Sequence, residues 1–459
     1  MNNSICKPGL IAATVLLLSG NAAMAQTTPG APQSQHQKVE LSLTEALRLS
    51  LQNNKQLKLS AAKIEEAKAN YHEAWNNHLP DFKVSGSYLR VNSPTVDLKV
   101  KLGSGSQGGS TSSIKVEQAA YALANVSMPL FSGFRIKYGV ESAKFLETAA
   151  TLDAENDKED VLQNTISAYS NLYKSYKTIE LVKKSLEQQK KRVTDFNNME
   201  ENGVMAHNDV LKAQLQESNI ELSLLDAQSN YNVTSANMAL MLGLPEGSDI
   251  VPDSNAFSGT ADAGSVAEWE TNAIKNRKDI AALASREQAA ALGIKSAKGE
   301  YYPGVAVTGG YIAADVPKLL TLTNALNIGI GLQYNVGSIW KTGAKIDAAN
   351  ARLHELQATK NILSERIDIQ INQAYESYLL SRRKIDVYAK AVEQSTENYR
   401  ITKNKHDNNL VTTTELLEAD IAQLQTMLNY TFSKVDAAVA YNKLKQTAGT
   451  LLADYHSIK

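Results

Sequence analysis

Side chains able to carry out covalent or metal chemistry are few in this sequence and badly placed for it. The histidines His36, His72, His78, His207, His354, His406 and His456 include no pair at the i, i+4 spacing that sets two imidazoles on one helix face to hold a metal. The single cysteine, Cys6, stands at the extreme N-terminus. Carboxylates are abundant, as on any long solvated helix, but no nucleophile elbow or paired-carboxylate signature appears. The Gly/Ser-rich run from Gly103 to Ser113 is followed by no Lys-Ser or Lys-Thr and no helix start, so it is not a phosphate cradle. Methionines are dispersed, which gives no soft-metal path. The expectation is a protein that is not an enzyme and carries no cofactor or metal.

What the sequence does specify is a set of long elements. Lys7 precedes an apolar run from Leu10 to Leu18 that ends in small residues and Ala23-Met24-Ala25, the pattern of a secretory signal peptide cleaved after Ala25. Cys6 leaves with it. No later stretch approaches the ~20 consecutive apolar residues of a transmembrane helix. Formal net charge is −1 and the basic residues are scattered, which excludes a nucleic-acid partner. Neither proline nor glycine occurs between Gly139 and Gly203, nor between Gly343 and Gly449. Each span predicts helix on a scale of about 100 Å, longer than a compact domain accommodates. Leu162, Ile166, Tyr169, Tyr173 and Tyr176 alternate spacings of three and four, a stripe that buries against a neighbour.

The two halves of the chain repeat. Asn53, Lys55, Pro80, Val84, Gly86 and Tyr88 recur at one constant offset as Asn276, Lys278, Pro303, Val307, Gly309 and Tyr311. Ala168, Tyr169, Ala213 and Gly243 recur at a smaller one as Ala374, Tyr375, Ala419 and Gly449. The mismatch requires an insertion in the first half between Tyr88 and Val126, where the Gly/Ser-rich run lies; it predicts an exposed loop tip. Its flanks have period two. Phe82, Val84 and Tyr88 alternate with Lys83, Ser85 and Ser87, and Leu326, Ile328, Ile330 and Leu332 alternate with Asn327, Gly329, Gly331 and Gln333. Each half thus supplies one hairpin with an apolar and a small or polar face. Four strands do not close a barrel, and an open edge is not tolerated in hydrocarbon. Pro80, Pro303 and Pro129 mark the helix-to-strand junctions. Trp75, Tyr301, Tyr302, Phe131 and Trp340 gather there like the aromatic belt of a membrane interface.

In this order, twice, the elements resemble the duplicated module of TolC-like outer-membrane efflux proteins. Met128 to Lys144 (MPLFSGFRIKYGVESAK) resembles the family's lead-in to its long helix; Tyr334 to Asn350 keeps the pattern less well, with Asn335 where proline is expected. The resemblance implies a mainly α fold with a β-barrel portion: a homotrimer with a 12-stranded barrel in outer-membrane lipid, continued by a periplasmic α-helical barrel. It further implies a passive exit duct of a tripartite efflux or type I secretion system, served by a periplasmic adaptor and an inner-membrane transporter. Gly203, Val204, Asn409 and Leu410 match the helical hairpin tips where the family meets its adaptor. Asn208 or Asp209 is expected to cap the helix after the first tip, and Thr412 to Thr414 the helix after the second. Asp209 and Glu418 match two acids of the family's gate. His406 is the third gate candidate; it and Val411 align with the tyrosine and arginine that lock the family's gate, so that particular lock is not expected, and three Glu418 carboxylates would favour cations.

The expected layout is a signal peptide over 1–25, a flexible segment over 26–40, a first repeat over 41–245, an equatorial linker over 246–264 and a second repeat over 265–459. In the first repeat, strands at 81–91 and 116–130 flank a loop at 92–115, and a helical hairpin spans 135–242. In the second, strands at 304–313 and 325–336 precede a hairpin at 340–448. The competing expectation is a soluble periplasmic coiled-coil scaffold or adaptor without a pore.

Overall fold

The computed structural model describes residues 38–92, 95–96, 114–245, 247–254, 256–257, 259, 262–317 and 320–458. The expected signal peptide, residues 26–37 and most of the Gly/Ser-rich loop lie outside the described residues.

Strand β1 (Lys38–Leu41) leads into helices α1 (Leu43–Asn53) and α2 (Lys55–Asn76). Strands β2 (Asp81–Arg90), β3 (Thr95–Val96), β4 (Ile114–Lys115) and β5 (Gln118–Phe131) follow, then α3 (Arg135–Glu201) and α4 (His207–Leu242). The second pass runs β6 (Asp249–Pro252), α5 (Val266–Asn276), α6 (Lys278–Lys298), β7 (Gly304–Val316), β8 (Leu320–Gln333), α7 (Ser338–Asp407), α8 (Thr413–Thr447) and α9 (Leu451–Ile458). Helices α3 and α7 hold 67 and 70 residues, about 100 Å each. Among the described residues no helix is long and apolar enough to cross a membrane.

The main sheet has the order β2-β5-β7-β8, antiparallel throughout. β5 and β7, from different repeats, pair in its centre, leaving β2 and β8 as its edges. Their register stacks residues of like character into rows. Phe82, Val126, Gly309 and Ile328 form one row, and Val84, Ala124, Tyr311 and Leu326 the next, on the same face.

Several boundaries differ from expectation: β7 runs on to Val316 and β8 spans Leu320–Gln333 rather than 325–336. Residues 38–40, assigned to a flexible segment, belong to β1, which pairs in parallel with β6 of the expected linker. The backbone there is fixed by the Tyr169 hydroxyl, which donates to the Leu41 carbonyl (2.7 Å) and accepts from the Asp253 N–H (2.9 Å). The expected loop at 92–115 carries the β3–β4 ladder. Pro129 is not a junction: it lies inside β5, opposite Ala306, where the register shifts between Pro129 and Phe131. A bulge accommodates a residue that has no N–H to give the ladder.

The core is concentrated around the β1–β6 ladder and α1. The predicted stripe on α3 is buried at Leu162, Ile166, Tyr169 and Tyr173. It packs against α1, α9 and the β1–β6 ladder together with Met238, Leu242, Ile250 and Phe257, rather than against a single helix.

Candidate functional site

At one end of the molecule the apolar row faces outward. On the edge strands Val84 and Ile328 are 84% and 85% exposed, and Phe82, Leu326, Ile330 and Leu332 are comparably bare. Water does not favour a contiguous apolar sheet face of this kind; hydrocarbon does. The opposite face carries Asp81, Lys83, Ser127, Asn125, Thr308 and Asn327, with Lys83 Nζ and Asp81 Oδ2 2.7 Å apart.

The aromatic residues gather where strands meet helices. Trp75 lies in the last turn of α2, Tyr301 and Tyr302 between α6 and β7, Phe131 at the end of β5, and Trp340 in the first turn of α7. Trp75, Tyr301, Tyr302 and Trp340 are exposed, and Phe131 meets Phe134 edge to face at 5.3 Å. Pro80 stands between α2 and β2, and Pro303 between Tyr302 and β7. The junction is drawn tight by two glycines. Gly133 has φ +65°, and a Cβ on it would lie 2.2 Å from the Gly299 carbonyl oxygen. Only glycine allows the two repeats to approach this closely where the strands of the main sheet give way to helices.

At the far end stand the two tips. After α3, Gly203 takes φ +73°, the Gly203 N–H donates to the Glu200 carbonyl (2.8 Å) and the Val204 N–H to that of Met199 (2.9 Å). After α7, Asn409 takes φ +57° with the same pair of bonds to His406 and Lys405. Both are left-handed helix stops, and each is followed by an exposed apolar residue, Val204 (66%) or Leu410 (73%). Thr412 caps α8 in a reciprocal capping box with Glu415. Neither Asn208 nor Asp209 caps α4, whose N-cap is Ala206 without a side-chain bond. The helix starts two residues too early for Asn208 and three for Asp209, and Asp209 Oδ1 accepts instead from Lys212 Nζ at 3.2 Å.

Glu418 is exposed on α8, and Asp209 is half-buried. His406 departs from the expected gate. It is buried within its own protomer, stacked on Phe196 at 5.4 Å with Nε2 3.3 Å from the Thr413 hydroxyl, and burial lowers its pKa. A buried ring packed on an aromatic face has no side left for a lumen.

Sequence reasoning missed a polar network beside it. Arg192 of α3 and Asp420 of α8, both under a tenth exposed, pair at 2.7 Å. The Arg192 guanidinium also donates to Gln189 Oε1 (2.6 Å) and the Tyr399 hydroxyl (2.8 Å), and Gln189 Nε2 donates to the Ala213 carbonyl (2.8 Å). Four helices from both hairpins are joined through one cation. Its signal was available: Gln189 and Arg192 occupy the three-and-four stripe that is apolar on either side.

Two further features mark the flanks of the protomer. Helix α4 exposes Leu211, Leu215, Leu222, Leu225, Val233 and Leu240 at heptad-like spacing, and α7 exposes Ile362, Ile369, Leu380 and Val387. Both flanks are therefore unpartnered within one chain, as the β2 and β8 edges are.

Comparison with known proteins agrees with this architecture. The family profile described as outer membrane efflux protein matches residues 46–244 and 269–450. Over 461 residues the chain is 21% identical to the outer membrane efflux protein BepC of Brucella suis, covering 98% of this chain and 91% of that protein. The outer membrane protein VceC of Vibrio cholerae superposes with a TM-score of 0.70 at 18% identity, over 89% of this chain and 96% of that one. The CmeC outer membrane channel of Campylobacter jejuni gives 0.71 at 16%, over 89% and 86%. With the profile spanning both repeats and the sheet, junctions and tips in the matching order, the chain belongs to the outer membrane efflux protein family.

Proposed function

We propose that three copies of this chain close into a passive aqueous duct across the outer membrane and periplasm, the exit channel of a tripartite efflux or type I secretion system. The observation that carries this reading is that the protomer is unfinished on both flanks. β2 and β8 are open edges beside an apolar face, and α4 and α7 carry apolar stripes in the same flanking positions. Joining β8 to the next copy's β2, and α7 to its α4, removes both open edges of the main sheet at once. The number three, giving twelve strands, follows from the family.

In this reading the phenyl and aliphatic face meets lipid, and the aromatic residues at the junctions sit at headgroup depth. Val204 and Leu410, presented by the turns at Gly203 and Asn409, meet a periplasmic adaptor that links the tube to an inner-membrane transporter. The transporter supplies the energy. Glu418 and Asp209 form the acidic ring of the gate; His406 is excluded by its burial.

The test is reconstitution of the mature protein. A detergent-dependent trimer that carries single-channel current is expected. Protein that stays folded and monomeric in plain buffer, without inserting into bilayers, would remove the duct. Glu418→Gln in the conducting trimer is expected to lower cation preference; an unchanged preference takes Glu418 out of the gate. Val204→Asp with Leu410→Asp is expected to leave current intact and abolish adaptor-dependent efflux.

A further inference from the structure

The two faces of the sheet exchange character along the strands. On the face turned away from Phe82 and Ile328, the rows nearest the helices are polar, including Lys83, Asn125, Gly310 and Asn327 in register. The next rows outward are Ser85, Leu123, Ile312 and Ala325, then Ser87, Tyr121, Ala314 and Leu322. Leu320 follows opposite Val316. At the same level the other face turns polar. There Tyr88, Ala120, Asp315 and Thr321 share a row, the Tyr88 hydroxyl donates to Gln118 (2.8 Å), and the Thr321 hydroxyl donates to Asp315 (2.7 Å).

The inversion in β8 is built by one backbone irregularity. Leu326, Ile328, Ile330 and Leu332 occupy the lipid-facing parity, and in an unbroken strand Leu320 and Leu322 would share it. The register shifts between Ile312 and Ala314, so that Leu322 rather than Thr323 stands opposite Ala314. Asn324 takes φ +58° there, an unfavourable conformation for a residue with a Cβ. It is held by the Tyr311 hydroxyl, which accepts from the Asn324 N–H and donates to its side-chain oxygen, both at 3.2 Å. The chain thus adopts a strained residue whose effect is to turn two leucines inward.

We propose that Tyr121, Leu123, Ile312, Leu320 and Leu322 form an apolar collar in the outer part of the duct that binds the hydrocarbon body of amphiphilic solutes. The inference rests on the duct reading above, which makes this face the lumen. An aqueous wall gives no reason to invert both faces at one level; a bound apolar group does. Leu320 is 56% and Tyr121 40% exposed, so the collar has surface to offer. The row of Lys83, Asn125 and Asn327 lies about 7 Å toward the helices, one strand repeat below Leu123. An amphiphile seated on the collar places its polar head on that belt.

Single-channel currents of the reconstituted full-length mature trimer test this, with tetramethyl-, tetrabutyl- and tetrapentylammonium added from the outer side. Residence time in the duct is expected to lengthen at least tenfold from the shortest to the longest chain, because each further methylene taken out of water strengthens the binding. Leu320→Ser with Leu322→Ser, both side chains solvent-accessible, is expected to erase that dependence while leaving the open-channel current unchanged. Leu123→Ser is a second, independent variant with the same expectation. Residence independent of chain length in a conducting wild-type channel, or a dependence unaltered in both variants, overturns the collar alone. Wild-type trimer without any current overturns the duct reading and the collar with it.

Discussion

The two long helical hairpins descend from one repeated sequence pattern, yet they live in different environments. Helix α3 buries side chains along most of its length, from Ala149 to Phe196. Helix α7 buries none between Tyr378 and His406. Matched residues diverge accordingly. Tyr169 is fully buried and ties β1 to Asp253, whereas its counterpart Tyr375 donates one exposed bond to the Gly264 carbonyl. Glu159 is buried, with Oε1 accepting from the Leu452 N–H at 3.0 Å, whereas its counterpart Glu365 is exposed. Helix α3 is the inner pillar of the protomer, and α7 is a flank whose apolar stripe awaits a neighbour. A tandem repeat therefore becomes asymmetric because only one copy can occupy the middle of a single chain's packing.

Substitutions in pairs sharpen that contrast. The largest difference is expected at arginine. Arg192→Met leaves Asp420 buried without its cation and should destabilise by about 3–5 kcal/mol. Arg400→Met, which removes a fully exposed pair with Glu397 on α7, should leave stability essentially unchanged. Thermal unfolding of the solubilised trimer measures both; equal effects would deny the asymmetry.

Tyrosine should show the next largest gap. Tyr169→Phe removes the partner of one carbonyl and one N–H beside the β1–β6 ladder, for about 2–3 kcal/mol, while Tyr375→Phe costs under about 1 kcal/mol. Loss of protection at the β1 amides in hydrogen exchange would locate the first effect.

Glu159 gives the contrast a pH dependence. Burial, opposed by the N-terminal amides of α9, pushes its carboxyl up to about 7. The folded state then holds a proton that the unfolded chain has released, so its stability contribution is present below pH ~4.5 and is lost as pH rises through 7. Glu159→Gln should therefore raise stability by about 2 kcal/mol at pH 8 and leave it nearly unchanged at pH 4.5. A wild-type pH profile that Glu159→Gln does not alter would refute this account.

The smallest effect is expected at the tips. Gly203→Ala places a Cβ on a left-handed residue and should cost about 1 kcal/mol, although nothing crowds that Cβ. Asn409→Gly relieves the same conformation and should stabilise by a few tenths, about 0.5 kcal/mol at most.

Much of this molecule was legible in its residues. The absence of proline and glycine over two long spans, the recurrence of Pro80 as Pro303 and the period-two runs around them determine helix, junction and strand, because backbone preferences and alternation act over a few neighbouring residues. The αL stops at Gly203 and Asn409 follow from the same local physics. Tertiary structure decided which positions each element meets. That Pro129 sits in a bulge, that His406 stacks on Phe196 and that Arg192 finds Asp420 on another hairpin are outcomes of packing between segments far apart in the chain. The inward turn of Leu320 and Leu322 depends on a one-residue shift between strands. No local pattern encodes these, since a slip of one position in pairing changes every face beyond it while leaving the sequence of residues the same.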